Sequence, residues 1–382
     1  GLCYSCAMKV ALFTQDMSGG AFGAVFAGLA SALAANGVAA IELLTVKGDM
    51  ARAEHAFPPE ARHRRLPGGG SAGAIAALRR HLLSARPDAL IAGPIIPNLA
   101  AVVAGRLARG WPGKVILSHH HPVRLARGQS WKNSVPLVRL LYRFADGSFA
   151  VSPAVRDEVV ELAGLDPARV GCIPNVLPPA APLAADCPHR WLAPGRAGGP
   201  VFVTVARLEP VKNLPLLLDA FARMADALDA RLLIAGSGSQ EDLLRARIGA
   251  LGLTQRVELL GYVASPRPYL RAADAFVLAS NEEGFGQVLS EAMREGLPVI
   301  STDAMGGGAR FVLDDGRAGL LVPRADRAAL AEAMAAMADP GVRGRYAALA
   351  RERARAFAPE PVGAALLRLI EQLPGRARQR GG

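Results

Sequence analysis

The sequence is short of aromatic residues, lysine, cysteine and long apolar runs, and each shortage closes off a class of function. Phe, Trp and Tyr make up 5% of the chain, too few to interleave with basic residues as a base-stacking platform. Only five of the 44 basic residues are lysines (Lys9, Lys47, Lys114, Lys132 and Lys212). The surplus of Arg, like that of Ala, can reflect coding bias as much as function, so no nucleic acid is expected as a partner. Four cysteines cannot staple 382 residues into a disulfide scaffold. Cys3 and Cys6 form a C-x-x-C ahead of Met8, but no helix pattern follows that would depress a thiol pKa. Cys172 and Cys187 have no metal-ligand spacing with any His, and the set as a whole points to a reducing compartment. The longest apolar stretch, Ala89 to Gly105, is broken by Pro94, Pro97 and Asn98 and falls short of the roughly 20 clean residues of a spanning helix. Residues 1–7 read as a leader or an added remnant, without the apolar core of a signal peptide. A cytoplasmic protein is the expectation.

What the sequence does contain is a globular composition, 51% hydrophobic and 20% charged, long enough for two domains. The net charge of +11 is uneven, with +8 in residues 1–185 and +3 in residues 186–382. A basic face for anionic lipid or phosphate fits that imbalance. Short apolar runs alternate with helix-period segments in both halves, which predicts parallel sheets covered by helices. Strands are expected near Val10–Phe13, Ala40–Val46, Ala89–Ala92, Val115–Ser118, Ser148–Val151 and Val170–Ile173. In the second half they are expected near Val201–Ala206, Arg231–Ala235, Val257–Leu260, Ala275–Leu278, Pro298–Ser301 and Leu320–Val322. The fold class is therefore α/β, with two doubly wound domains facing a central cleft where ligands meet the carboxyl ends of the strands. The first domain is read as 8–178 and the second as 201–355. Between them 179–200 forms a Pro-rich linker, and a C-terminal helix at 356–375 returns to the first domain.

The richest segment is Glu283-Gly-Phe-Gly-Gln-Val-Leu-Ser-Glu291-Ala-Met-Arg-Glu-Gly296. Gly284 and Gly286 form a loop after a strand and feed a helix from about Gln287 to Gly296, an anion-binding arrangement. Glu283 before the turn and Glu291 one turn into the helix can reach opposite ends of one ligand. Taken alone, each would read as an ordinary surface or helix-face acid. Arg207 and Lys212 lie five apart in another strand-to-helix loop, able to clamp a diphosphate, Arg through its fork and Lys as a mobile charge.

These residues carry a resemblance. The run E-E-G-F-G-Q-V-L-S-E-A-M-R-E-G-L-P-V-I resembles the E-x7-E signature of family 4 retaining GT-B glycosyltransferases, as Glu283 and Glu291, and Arg207 with Lys212 resemble that family's basic diphosphate pair. Ala235-Gly-Ser-Gly238, Leu260-Gly-Tyr262, Ile173-Pro-Asn175 and Val151-Ser-Pro153 extend the likeness from Met8 to about Leu373. The resemblance implies a GT-B architecture of two Rossmann-like domains, the second binding a nucleotide sugar. It implies that Arg207 and Lys212 hold the diphosphate and Glu291 the ribose hydroxyls. Glu283, with the backbone of Gly284, Phe285 and Gly286, would hold the donor sugar, and Gly261 and Tyr262 join this substrate-binding set. One departure is Asp303-Ala-Met-Gly-Gly-Gly-Ala-Arg310-Phe311, which lacks the acid that many members carry after a glycine turn.

In the first half, Met17-Ser-Gly19-Gly20-Ala-Phe-Gly23 reads as a backbone approach to a phosphate or sugar. Its G-G-x-x-G spacing, with Glu42 inside rather than at the end of strand two, argues against a dinucleotide fingerprint. The resemblance gives Gly19 and Gly20 a contact with donor phosphate or acceptor, and places one His near the reacting sugar: His119 first, then His120, with His121 also adjacent. Zinc is excluded because neighbouring histidines cannot converge on one metal. No Asp-x-Asp occurs, so no metal and no cofactor are expected, with cations of the protein serving the diphosphate. The stretch Arg62–Arg65 with the helix-like Ile75–Leu83, supplemented by Arg124, Arg127 and Lys132, reads either as an interfacial element on an anionic membrane or as an ordinary amphipathic helix. The resemblance implies transfer of a hexose from a UDP- or GDP-sugar to a sugar or lipid-linked acceptor, in glycan, polysaccharide or glycolipid synthesis at the inner face of the cell membrane. A GT-B phosphorylase or nucleotide-sugar hydrolase, and a non-catalytic nucleotide-sugar binder, are the other readings.

Overall fold

The computed structural model describes residues 8–17, 20–48, 57–68, 70–125, 129–177 and 189–375. The backbone forms two compact units, one made of the chain up to residue 179 and again from Phe357 onward, the other of residues 180–356.

The first unit contains β1 (Lys9–Phe13), α1 (Gly20–Ala35), β2 (Ala40–Thr45), β3 (Ala61–Arg65), α2 (Gly70–Ala85), β4 (Ala89–Ala92), α3 (Ile95–Leu107), β5 (Lys114–His119), α4 (Gln129–Leu141), β6 (Gly147–Ala150), α5 (Pro153–Ala163) and β7 (Val170–Cys172). The second contains β8 (Val201–Val205), α6 (Leu214–Ala222), β9 (Arg231–Ala235), α7 (Glu241–Ala250), β10 (Val257–Gly261), α8 (Arg267–Ala272), β11 (Ala275–Leu278), α9 (Gln287–Arg294), β12 (Val299–Thr302), α10 (Gly308–Val312), β13 (Leu320–Val322), α11 (Arg327–Ala336) and α12 (Pro340–Ala354). The last helix, α13 (Pro359–Gln372), belongs to the first unit.

Both sheets are parallel throughout. Their strand orders are β3-β2-β1-β4-β5-β6-β7 and β10-β9-β8-β11-β12-β13. The twelve strands expected from the apolar runs are present within a residue, and β3 is an addition. Its sequence, Ala61-Arg-His-Arg-Arg65, has no apolar period, so it was not legible as a strand. It pairs residue by residue with β2 from Ile41↔Ala61 to Thr45↔Arg65, and His63 Nε2 lies 2.8 Å from Thr45 Oγ1. Charged side chains suit this position, because an edge strand crowded with arginines resists further pairing. Arg62–Arg65 is thus a sheet edge.

Central strands are buried on both faces, as the crossover helices demand. Val10 and Leu12 join one core with Ile41, Leu43 and Phe26, while Ala11 and Phe13 join a second with Leu90, Leu117 and Tyr142. The helices start where the local chemistry provides caps. Ser152, Asp326 and Asp339 each accept a backbone N–H three residues on, and left-handed Gly164 ends α5. The part of the expected linker that is described, 189–200, packs on the second unit, with Leu192 buried and Arg196 paired to Asp274. The tail beyond residue 375, the leader at 1–7 and Arg127 lie outside the described residues. Arg124, expected on a basic face, is held by Glu161 at 2.7 Å. Among the described residues no helix is long and apolar enough to cross a membrane.

The covering of the first sheet is finished by α13, whose Val362, Leu366, Leu369 and Ile370 fill the core beside α1. Asn36 Nδ2 donates to Ala32 O and Glu360 O, and Lys114 Nζ to Ile370 O at 2.6 Å. A Cβ at Gly363 would lie 2.2 Å from the Ala32 carbonyl oxygen, so α1 and α13 approach backbone to backbone. Gly363→Val is expected to cost about 1–3 kcal/mol through overpacking, read as a lower urea midpoint; an unchanged midpoint refutes the close approach.

Candidate active site

The strand order of the second unit reverses between β8 and β11, and loops leaving a sheet at such a point part to open a crevice for ligand. Those two loops carry the residues singled out above. The loop after β8 holds Arg207 and Lys212, and the loop after β11 runs from Ala279 to Gly286. They are laced together: Asn281 N donates to Val211 O at 2.8 Å, and Asn213 Nδ2 donates to Asn281 Oδ1 at 3.1 Å. Asn213 sits in the left-handed region with φ 46°, a conformation Asn tolerates better than most residues.

A third loop, after β12, closes on the second. Met305 N donates to Asn281 O, Glu283 N to Met305 O, and Gly308 N to Glu283 O, at 2.9, 2.8 and 3.1 Å. The contact needs glycine, since a Cβ at Gly308 would stand 2.4 Å from Phe285 N. This gives the Gly306-Gly-Gly308 run a purpose that does not depend on an acid. Arg310, beyond it, is tied to Asp303 and Asp315.

At the centre, Lys212 Nζ meets Glu283 Oε2 at 2.6 Å, with only 17% and 11% of the side chains exposed. Such a charge-assisted bond in a half-dry site fixes both groups. Arg207 is exposed, and its guanidinium has no hydrogen-bond or ion-pair partner among the described residues. Its loop is pinned by a residue the sequence reading did not select. Glu209 accepts from Ser239 N at 3.2 Å and from Ser239 Oγ at 2.7 Å, joining the loops after β8 and β9. Only an aligned pair of loops would have revealed that partnership, as nothing in the spacing announces it.

Gly286 caps α9 with φ 88° and ψ 54°, a left-handed turn suited to glycine. The helix N-terminus thereby points its partial positive charge into the loop region. Glu291 lies one turn along, hydrogen-bonded by the Gln287 side chain. Burial is the largest influence on it and pushes its carboxyl up to about 7, against the smaller pull of Arg294 and Gln287. Gly261, with φ 68°, ends β10, and its carbonyl accepts from Gly236 N at 2.8 Å. Tyr262 follows with 76% of its surface exposed. β10 lies two strands from β8, roughly 10 Å away.

The first unit holds the remaining residues. His119 ends β5 fully buried against Tyr142, ring centroids 5.4 Å apart, and burial depresses it to about 3. Its Nε2 has no hydrogen-bond partner among the described residues. His120 is also buried and depressed, to about 4. Ser118 Oγ donates to Ala92 O and stands 3.0 Å from His120 Nε2, while His120 Nδ1 stands 3.2 Å from Asn175 Oδ1. Both rings are therefore neutral at ordinary pH, and His121 alone of the three is exposed. Gly20 opens α1; Gly19 lies outside the described residues.

The comparisons with known proteins agree with the two-unit α/β fold. A family model described as "Glycosyltransferase Family 4" matches residues 22–180, and one described as "Glycosyl transferases group 1" matches 199–339, together well over half of the chain. The chain belongs to glycosyltransferase family 4. A phosphatidyl-myo-inositol mannosyltransferase of Mycobacterium leprae is 35% identical to this family 4 chain over 231 residues, 59% of each protein. An N-acetylgalactosamine-N,N'-diacetylbacillosaminyl-diphospho-undecaprenol 4-alpha-N-acetylgalactosaminyltransferase of Campylobacter jejuni is 36% identical over 156 residues, 41% of this chain and 42% of that protein. The chain thus spans about half the length of these curated relatives. In fold it is similar to Anabaena Alr3699/HepE, solved in complex with UDP, with a TM-score of 0.76 at 21% identity over 96% of this chain and all of that one. The two-unit α/β architecture is therefore GT-B.

The raised Glu291 carboxyl has a sign that can be tested. Between about pH 4.5 and about pH 7 the native state keeps a proton that the unfolded chain releases, so stability falls as pH rises through that window and levels off above it. Urea titrations across pH are expected to show this slope in the wild type and a shallower one in Glu291→Gln. Superimposable profiles would exclude a protonated Glu291.

Proposed function

We propose that the protein transfers a hexose from a nucleoside diphosphate sugar to a hydroxyl of a sugar or lipid-linked acceptor, with retention at the anomeric carbon and without a metal ion. The observation that carries the reading is the Lys212–Glu283 pair, 2.6 Å apart, where the loops after β8, β11 and β12 converge at the sheet's switch point. Breaking the bond from anomeric carbon to phosphate throws negative charge onto the leaving diphosphate. Arg207, Lys212 and the N-terminus of α9 are fixed positive groups placed to stabilise that charge as it develops. Glu291 receives the ribose hydroxyls, and Glu283, with the backbone from Gly284 to Gly286, orients the sugar. The departing phosphate oxygen takes the acceptor proton, so retention by front-face attack needs no protein base.

The acceptor belongs to the first unit. Two relatives are named for lipid-borne acceptors, a phosphatidylinositol and a diphospho-undecaprenol glycan, which favours synthesis of cell-envelope glycolipid or glycan at the inner face of a membrane. A structural neighbour holds UDP, so UDP is the first donor base to try and GDP the second.

A thermal-shift panel of UDP, GDP, ADP and their sugars is the direct test. The right nucleotide at 100 times its Kd stabilises by roughly 2.7 kcal/mol, and Lys212→Ala and Glu291→Ala are expected to abolish the shift. Full shifts in both variants would remove the donor site from these loops. With donor and acceptor in hand, Arg207→Ala is expected to lower kcat about 100-fold to 1000-fold at nearly unchanged Tm, because its side chain is exposed. Chelator is expected to leave turnover intact, and NMR of the product to show the donor's anomeric configuration.

A further inference from the structure

The first unit contains a cavity of about 540 Å³ that the donor chemistry does not use. It lies at the carboxyl ends of β1, β2 and β3, under helices α2, α3 and α4, and its two ends differ in character. At one end are Gln15, Lys47 and Arg65. Backbone bonds hold them near one another: Val46 N and Lys47 N both donate to Gln15 O, and Arg65 pairs with Thr45, two residues before Lys47. Gly70 and Ser71, which open α2, line the same end, and that helix has no acid in its first turn to offset its positive pole. The other end is walled by Ile75, Ile96, Leu99, Val103, Leu137 and Leu141. Among the described residues no carboxylate lines the cavity, and neither Lys47 nor Arg65 has an acidic partner.

Two of the apolar wall residues, Ile96 and Leu137, are 46% and 45% exposed. Leaving large aliphatic side chains in water forfeits about 25 cal/mol for each Å² that could be buried. The exposed apolar surface continues to Leu140 and Phe144, whose ring lies under the guanidinium groups of Arg106 and Arg143 at 5.3 and 4.9 Å. A cationic pole, an oily chamber and an oily mouth fringed by arginine are complementary to one kind of ligand, an anionic amphiphile with a phosphate head and an alkyl or prenyl tail.

We infer that this cavity is the seat of a lipid-borne phosphate, with the phosphate held between Lys47 and Arg65 at the start of α2 and the tail leaving past Ile96 and Leu137. The inference rests on reading the first unit as the acceptor side, and names the acceptor's class as a phosphate-bearing lipid rather than a free sugar phosphate.

Calorimetric titration of the full chain with octyl, decyl and dodecyl phosphate below their micelle concentrations tests it without turnover. Affinity is expected to rise about fourfold per added methylene, the ratio that ~0.8 kcal/mol of burial corresponds to, while inorganic phosphate, glycerol phosphate and a neutral dodecyl glycoside bind far more weakly. The double variant Lys47→Ala with Arg65→Ala is expected to weaken every alkyl phosphate at least tenfold and keep the tail dependence. Ile96→Glu, at an exposed position that leaves folding intact, is expected to flatten the tail dependence, as is the cavity-filling Ala100→Trp. Equal affinity for inorganic and dodecyl phosphate, or a tail dependence untouched by both Ile96→Glu and Ala100→Trp, overturns the proposal. UDP titrated into the same samples separates the two readings. Absence of UDP binding in the wild type would sink the donor site alone, and loss of the tail dependence in Ile96→Glu and Ala100→Trp with UDP binding intact supports the cavity assignment.

Discussion

Three loops of the second unit have to approach to within hydrogen-bond distance of one another, and the rest of the candidate site depends on that approach. It is permitted by the absence of a side chain at Gly308, where a Cβ would strike Phe285 N. It is secured by the backbone bonds of Asn281, Glu283 and Met305. Only because the loops after β8 and β11 are held this way does Lys212 meet Glu283 in a half-buried setting. In water such a pair would contribute little, and with most of its solvent removed the same two groups exert a directed field. The glycines at 236 and 238 do similar work on the neighbouring side, since each would otherwise collide with the carbonyl of Ala206 or Leu208.

The sequence made the parallel sheets legible because every central strand is a short apolar run buried on both faces, and the runs Val10–Phe13 and Val201–Val205 state this directly. It hid β3 for the opposite reason. A strand at the rim of a sheet is held by backbone bonds to one neighbour, so Arg62, Arg64 and Arg65 can remain in water and no apolar period is imposed. The donor loops were legible where local chemistry constrains the residue type: glycines before a helix, acids eight apart, two cations in one loop. The Lys212–Glu283 contact and the Glu209–Ser239 tie were not, because each joins residues far apart in the chain and no one-dimensional spacing encodes such a meeting.

The three histidines after β5 show a similar limit. Adjacent residues at a strand end alternate in direction and depth, and the sequence does not say which faces solvent. Folding places His119 and His120 inside, neutral and ringed by Tyr142, Ser118 and Asn175, and leaves His121 exposed. A neutral imidazole can still offer a dipole or a hydrogen bond to a sugar, but it cannot offer a full charge.

The return of α13 to the first unit has a consequence for how the chain is made. One core draws on Val10, Leu12, Ile41 and Leu43 of the first two strands and on α1, while Val362, Leu366 and Ile370 of α13 come from beyond the second unit in the chain. During synthesis, therefore, everything needed by the intervening unit has emerged before the earlier one receives its final helix. Until that moment the face of the first sheet that α13 will cover stands bare, open to chaperones and to mispairing. Of the two units, the one translated earlier is thus the one completed later.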